Sequence, residues 1–177
     1  MPSGRTHDAV TFLLAVPAFA AGYAATQKIA AAGVLGIAFI FGGLMFGPDL
    51  DTVSVQYSRW GPLRFIWFPY RSFFKHRSRF SHGLIFGALL RVIYFLGVLT
   101  LAAFAVVYLW MAFTGGRLPD ASDISGVWRA VGELTGRHFG AYLPLLFFAG
   151  LWFGAASHTF TDLAGSFIKT GRVSKTL

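Results

Sequence analysis

Cysteine is absent from the 177 residues. That excludes a disulfide framework and any thiolate metal site, so a metal bound here must use histidine and carboxylate, donors that suit zinc, manganese or iron. Charge is scarce as well. Asp, Glu, Lys and Arg make up 12% of the chain, about half of what a soluble domain carries. Acids are the scarcer sign, seven against fifteen basic residues, for a net charge of +8. What fills the sequence is apolar: 55% hydrophobic, 18% aromatic, with a mean hydropathy of +0.61. These residues gather in long runs, which excludes an ordinary soluble core and predicts an integral membrane protein. No internal repeat or low-complexity tract is present, and the length allows a single membrane domain over 1–177.

Four runs are long enough to be read as spans, at about 9–26, 29–46, 83–113 and 139–168. The predicted fold is all-α: an integral membrane four-helix bundle with an interfacial aromatic and basic loop over 47–82 and a polar connection over 114–138. Thr6 is the expected N-cap of the first span, with Asp8 in its first turn and Pro17 interrupting it. The run ending in Ala18-Phe19-Ala20 also fits a cleaved signal peptide, but only Arg5 precedes it, and a first span uses the segment better. Ile29 to Phe46 carries no charge. At 1.5 Å per residue it reaches about 27 Å, enough for a thin bilayer core. Its Gly33, Gly36, Gly42 and Gly43 predict close helix packing in lipid. Gly47-Pro48 ends it. Arg91 lies two turns into the third span, where it either snorkels to the surface or faces a site. Ile124 to Leu134 reads as a short surface helix, and Pro144 falls inside the fourth span.

Tyr57 to Phe80 holds nine aromatics and six basic residues and no acid. That mixture suits the headgroup level of a bilayer, where Trp and Tyr sit half-wet and cations meet phosphates. It also fits nucleic acid, but with apolar runs on both flanks the expected partner is membrane lipid and no nucleic acid is expected.

Four crossings would put the N-terminus, the 47–82 loop and the C-terminal tail on one side. Arg5, Arg59, Arg64, Arg71, Lys75, Arg77, Arg79, Lys169, Arg172 and Lys175 fall there, against Lys28, Arg117, Arg129 and Arg137 opposite. The excess of positive charge makes the first side cytoplasmic, with both termini inside. The metal-competent side chains follow the same division. His7 begins span one, Asp49 and Asp51 end span two, His76 and His82 precede span three, and His158 and Asp162 end span four. All seven fall on one face, while Glu133 and His138 fall on the other.

Each motif has chemistry and an ordinary alternative. His158 and Asp162, four apart, share one side of a helix, which suits two ligands of one ion; the alternative is a solvated helix end. Asp49-x-Asp51 after Gly-Pro places two carboxylates on an irregular turn, which suits a hard cation; the alternative is a polar stop to a span. His76 and His82 sit among cations, where neutral imidazole, the ligating form, is favoured; the alternative is a lipid-facing basic patch. His7 alone would be an ordinary surface residue and gains weight only from the shared face. Asp8 reads as a helix-start charge or as a partner holding an imidazole. Seven donors exceed the need of one zinc and suit two ions sharing a carboxylate. Such pairs clamp the attacking and leaving oxygens in phosphoester hydrolysis. Arg77 and Arg79 are the candidates to hold the substrate phosphate.

The stretches Ser3-Gly4-Arg5-Thr6-His7-Asp8, Leu44-Met45-Phe46-Gly47-Pro48-Asp49-Leu50-Asp51, His76-Arg77-Ser78-Arg79-Phe80-Ser81-His82-Gly83 and Ser157-His158-Thr159-Phe160-Thr161-Asp162 resemble a family of uncharacterised bacterial metal-binding membrane proteins. The order His, Pro-Asp-x-Asp, His-Arg-x-x-x-x-His, His-x-x-x-Asp is similar to the wider group of predicted membrane-bound metal-dependent hydrolases. There the third motif usually reads His-Arg-Gly-x-Thr-His, with Ser78 and Ser81 replacing Gly and Thr here. The resemblance implies a metal site at His7, Asp49, Asp51, His76, His82, His158 and Asp162, in the bacterial inner membrane. The expected function is a metal-dependent hydrolase of a phosphoester, with lipid as a candidate substrate and a dinuclear site on the cytoplasmic face. Zinc is the expected metal, with manganese or iron as alternatives. The alternative function is a non-catalytic metal protein whose ion is structural or sensing.

Overall fold

The computed structural model describes residues 3–74, 83, 85–114 and 120–171. Among them the chain is all-helical and has no strand. Helix α1 spans Gly4–Thr26 and α2 spans Ile29–Met45. A 3-10 turn over Pro48–Asp51 leads to α3 (Val55–Arg59), a second 3-10 segment (Gly61–Trp67) and α4 (Phe68–Phe73). Then come α5 (Phe86–Thr114), α6 (Ala121–Phe139) and α7 (Leu143–Thr170). Three of these, α1, α5 and α7, are long and apolar enough to cross a membrane; α2 is equally apolar but has 17 residues.

Local chemistry moves several expected boundaries. Ser3, not Thr6, caps α1, its hydroxyl accepting from the Thr6 N–H at 3.3 Å. His7 and Asp8 therefore lie inside the helix. Pro17 does not interrupt it; α1 runs through. Pro144 sits in the first turn of α7, where its missing N–H costs no helical bond. The expected short helix over 124–134 is longer because Asp120 and Asp123 form a reciprocal capping box: Asp120 Oδ1 accepts from the Ser122 and Asp123 N–H groups, and Asp123 Oδ2 from that of Asp120.

Helices α1, α2 and α7 pack together, with the closest association between α2 and α7. Glycine makes that crossing possible. A Cβ on Gly154 would stand 2.0 Å from the Phe39 carbonyl oxygen, and one on Gly42 would stand 2.4 Å from that of Leu151. The two backbones touch, as small-residue seams allow in lipid. Of the expected packing glycines, Gly42 serves this seam, Gly43 lets α2 approach Thr11 of α1, Gly36 makes ordinary contact with Phe19, and Gly33 meets open space.

The aromatic loop departs most from expectation. Tyr57, Trp60, Trp67 and Tyr70 are buried. Trp60 and Trp67 pack edge-on with Phe46 of the α2 C-cap and against Phe95 of α5, at centroid separations of 5.4–6.3 Å. Only part of the set, including Leu63, Phe65, Phe68 and Phe73, faces outward. The loop also terminates α2. The last carbonyls of a helix lack intrahelical partners, and here Arg59 donates to Leu44 O at 3.0 Å and the Trp60 indole to Met45 O at 3.2 Å. Tyr94 of α5 donates to Ile66 O and fastens the second 3-10 segment.

Candidate metal centre

His7 projects from the second turn of α1 because Ser3 starts that helix early. His158 and Asp162 project from α7, one turn apart. The α1–α2–α7 packing brings the three together, with one ligand atom from each within 4.8 Å of the others. His7 Nε2 stands 3.2 Å from Asp162 Oδ1, and His158 Nε2 stands 3.9 Å from Asp162 Oδ2. The two imidazoles stack, centroids 3.7 Å apart and planes 10° from parallel. Both histidines are buried and Asp162 is half-buried.

These contacts are close without being ordinary hydrogen bonds. Asp162 Oδ1 is buried and has no aligned donor among the described residues, although His7 Nε2 is 3.2 Å away. Donors about 2.0–2.1 Å from a tetrahedral ion lie about 3.4 Å from one another. The observed separations bracket that value, so the donor distances fit a divalent ion, and the two stacked rings would tilt apart to aim both lone pairs at it. The three open onto a polar cavity of about 200 Å3, lined also by Gly4, Asp8, Asp49, Ser54, Val55, Gln56 and Arg59. Two imidazoles and one carboxylate leave positions for further ligands.

The other expected site residues divide. Asp49 lines the cavity and is half-buried. Asp51, two residues on, is buried outside it and lies in the field of Arg91. In a 3-10 turn, with three residues per turn, positions two apart point in different directions. Asp49 therefore faces the cavity and Asp51 does not. Arg91 is fully buried, with Tyr70, Asp51 and Asp49 as electrostatic partners, so it does not snorkel to the surface. Burial pushes the Tyr70 phenol above its ordinary range, and the nearby Arg91 guanidinium opposes that. Asp8 pairs with Arg59 at 2.6 Å rather than with an imidazole. His76, His82, Arg77 and Arg79 lie outside the described residues. Glu133 is exposed on α6.

One residue of the site went unnoticed in the sequence. Gln56 is buried, and its side-chain amide nitrogen is 2.9 Å from His158 Nδ1. The available signal was weak, a lone amide among aromatics and cations.

Over residues 2–172 the chain matches the family described as uncharacterized metal-binding protein (DUF2227), and it belongs to that family. It is also 37% identical over 60 residues to an uncharacterized protein of Aquifex aeolicus. That match covers 33% of this chain and 42% of the relative's length. No solved structure matches it. The family description specifies metal binding and no reaction.

Proposed function

We propose that the protein is a membrane-bound metal-dependent hydrolase of a phosphoester, with His7, His158 and Asp162 as the first ligands of its metal. The observation that carries this reading is the gathering of two imidazoles and a carboxylate, from the first and last described helices, at the mouth of a polar cavity. A bound divalent ion would supply Lewis acidity and lower the pKa of water. The protein's own groups do the rest. His7, His158 and Asp162 fix the position of the ion. Asp49 presents a carboxylate across the same cavity, placed to take a proton from water entering it. Arg59 sets a positive charge on the cavity wall, and Arg77 and Arg79 are proposed to hold the substrate phosphate. A second ion, as in dinuclear hydrolases, would need more donors than these three. Asp49, His76 and His82 are the candidates.

The apolar faces of α1, α5 and α7 support a multi-pass arrangement, with α2 as a fourth and shorter crossing. We place the site on the cytoplasmic face of the bacterial inner membrane, because the basic residues concentrate on that side. A lipid phosphoester is the substrate class that best suits a site at that level. A second reading is favoured by the origin of the ligands: an ion held between α1 and α7 would clip the two helices together without catalysis.

Purified protein should contain zinc, manganese or iron, and His158→Ala and Asp162→Ala should lose it at least 100-fold in affinity while staying helical. The loaded protein should hydrolyse members of a phosphomonoester and phosphodiester panel. Metal retained in both variants would defeat the assignment of ligands. Metal lost from both, with no turnover by the wild type, would leave the clip reading.

A further inference from the structure

We infer that Gln56 is the positioning residue that orients His158 toward the ion and determines which of its ring nitrogens is free to ligate. This rests on the metal site proposed above and concerns a residue outside its ligand set.

Three observations carry it. The Gln56 side chain is 95% buried, and its amide nitrogen is within 2.9 Å of His158 Nδ1. A buried primary amide in so apolar a protein is costly unless its position is used. Its seat is also built. The amide lies against Gly47, where a Cβ would come within 2.0 Å of both Oε1 and Nε2. The Gly43 carbonyl stands 3.5 Å from Nε2 on another side. The absence of a side chain at Gly47 of the Gly47-Pro48 stop therefore leaves the space in which the amide sits. Third, Oε1 of Gln56 is buried with no partner among the described residues.

The chemistry follows from the two ends of the amide. With Nε2 toward His158, Nδ1 must accept, so the proton sits on the His158 nitrogen that faces Asp162. A ligating Nε2 requires the other tautomer, with the proton on Nδ1 and an acceptor facing it. The two ends of a primary amide have nearly the same shape, so the seat over Gly47 holds either. Turned over, Oε1 accepts from Nδ1–H and gains the partner it lacks, at the loss of the long 3.5 Å bond from Nε2 to the Gly43 carbonyl. His158 Nε2 then offers its lone pair toward Asp162 and His7. One side chain thus serves both states, which neither a carboxylate nor an apolar residue can do.

The test measures affinity for Zn2+ by competition with a chromophoric chelator, and the Co2+ absorption spectrum, on the full chain in detergent. Gln56→Leu keeps the volume but removes both ends. It should bind 10–100-fold more weakly, the usual effect of losing a residue that supports a ligand, with a shifted Co2+ spectrum. Gln56→Glu keeps an acceptor for Nδ1–H and should restore affinity to within a few-fold of wild type. Gly47→Ala displaces the amide while leaving it in the sequence, and should weaken binding as Gln56→Leu does. Wild-type affinity in folded Gln56→Leu, or failure of Gln56→Glu to recover more than the leucine variant, would overturn the inference while leaving the metal site intact. If Gln56→Leu does not fold, Gln56→Glu alone decides: loss of affinity comparable to His158→Ala counts against it. Absence of Zn2+ binding by the wild type would instead remove the site itself.

Discussion

Two regions of this molecule bury polar groups, and they do so in opposite ways. Around Arg91 the structure is closed. The guanidinium is fully buried, with Tyr70 and Asp51 as its electrostatic neighbours and an aromatic cluster of Trp60, Trp67, Phe46 and Phe95 close by. Around His158 the structure is open on one side. Two stacked imidazoles and a carboxylate face a cavity of about 200 Å3, with atoms that lack aligned protein partners. Buried ionic groups are tolerated when they are paired and costly when they are not. The first region is closed over by its own side chains, and the second opens on space for something added. The Pro48–Asp51 turn joins them and sends Asp51 to one and Asp49 to the other.

The sharpest way to break this comparison is to neutralise each aspartate in turn. Asp51→Asn should destabilise the protein by roughly 3 kcal/mol, because it removes a negative partner from a buried cation, and should leave Zn2+ affinity within a few-fold. Asp49→Asn should cost under about 1 kcal/mol, as for a group facing water, and lower turnover instead. Thermal or denaturant unfolding in detergent, paired with metal titration, reads both. Equal effects on stability would show that the turn does not separate the two regions.

A somewhat smaller effect separates the packed seam from the outer helix face. Gly154→Ala places a methyl against the Phe39 carbonyl and should cost about 2 kcal/mol by overpacking. It should also weaken metal binding, since α7 carries His158 and Asp162. Gly33→Ala meets nothing and should be neutral or stabilising by roughly 0.5–1 kcal/mol. The smallest effect concerns Arg59 and Asp8 on the cavity rim, a partly exposed pair. Asp8→Asn should change stability by no more than about 0.5 kcal/mol, and differences in melting temperature between the two proteins should vanish at high salt.

Much of the helical order was readable from apolar run length alone, since a run free of charge over 17 or more residues has few alternatives. The meeting of His7 with His158 and Asp162 was also readable. Helical spacing put the latter two on one side, and the expected back-and-forth course of the apolar helices put His7 at the same end. Other features were not readable, each for a physical reason. Trp and Tyr are equally at home half-wet and in a core, so composition did not show that Trp67 and Tyr70 turn inward around Arg91. Spacing in sequence did not separate Asp49 from Asp51, because the direction of each depends on a 3-10 rather than an extended backbone. Gly154 gave no signal apart from its partner on α2. Gln56 acquires its proposed role only from Gly47, Gly43 and His158, which are separated from it in the sequence and meet it only in the fold.

The site draws its parts from α1 and from near the end of α7. A ribosome adding about 5–20 residues per second would therefore expose His7 roughly ten to thirty seconds before His158 and Asp162 exist. During that interval the nascent chain lacks two of the three clustered donors, an imidazole and the carboxylate. This cluster is thus completed only when the last described helix packs beside the first.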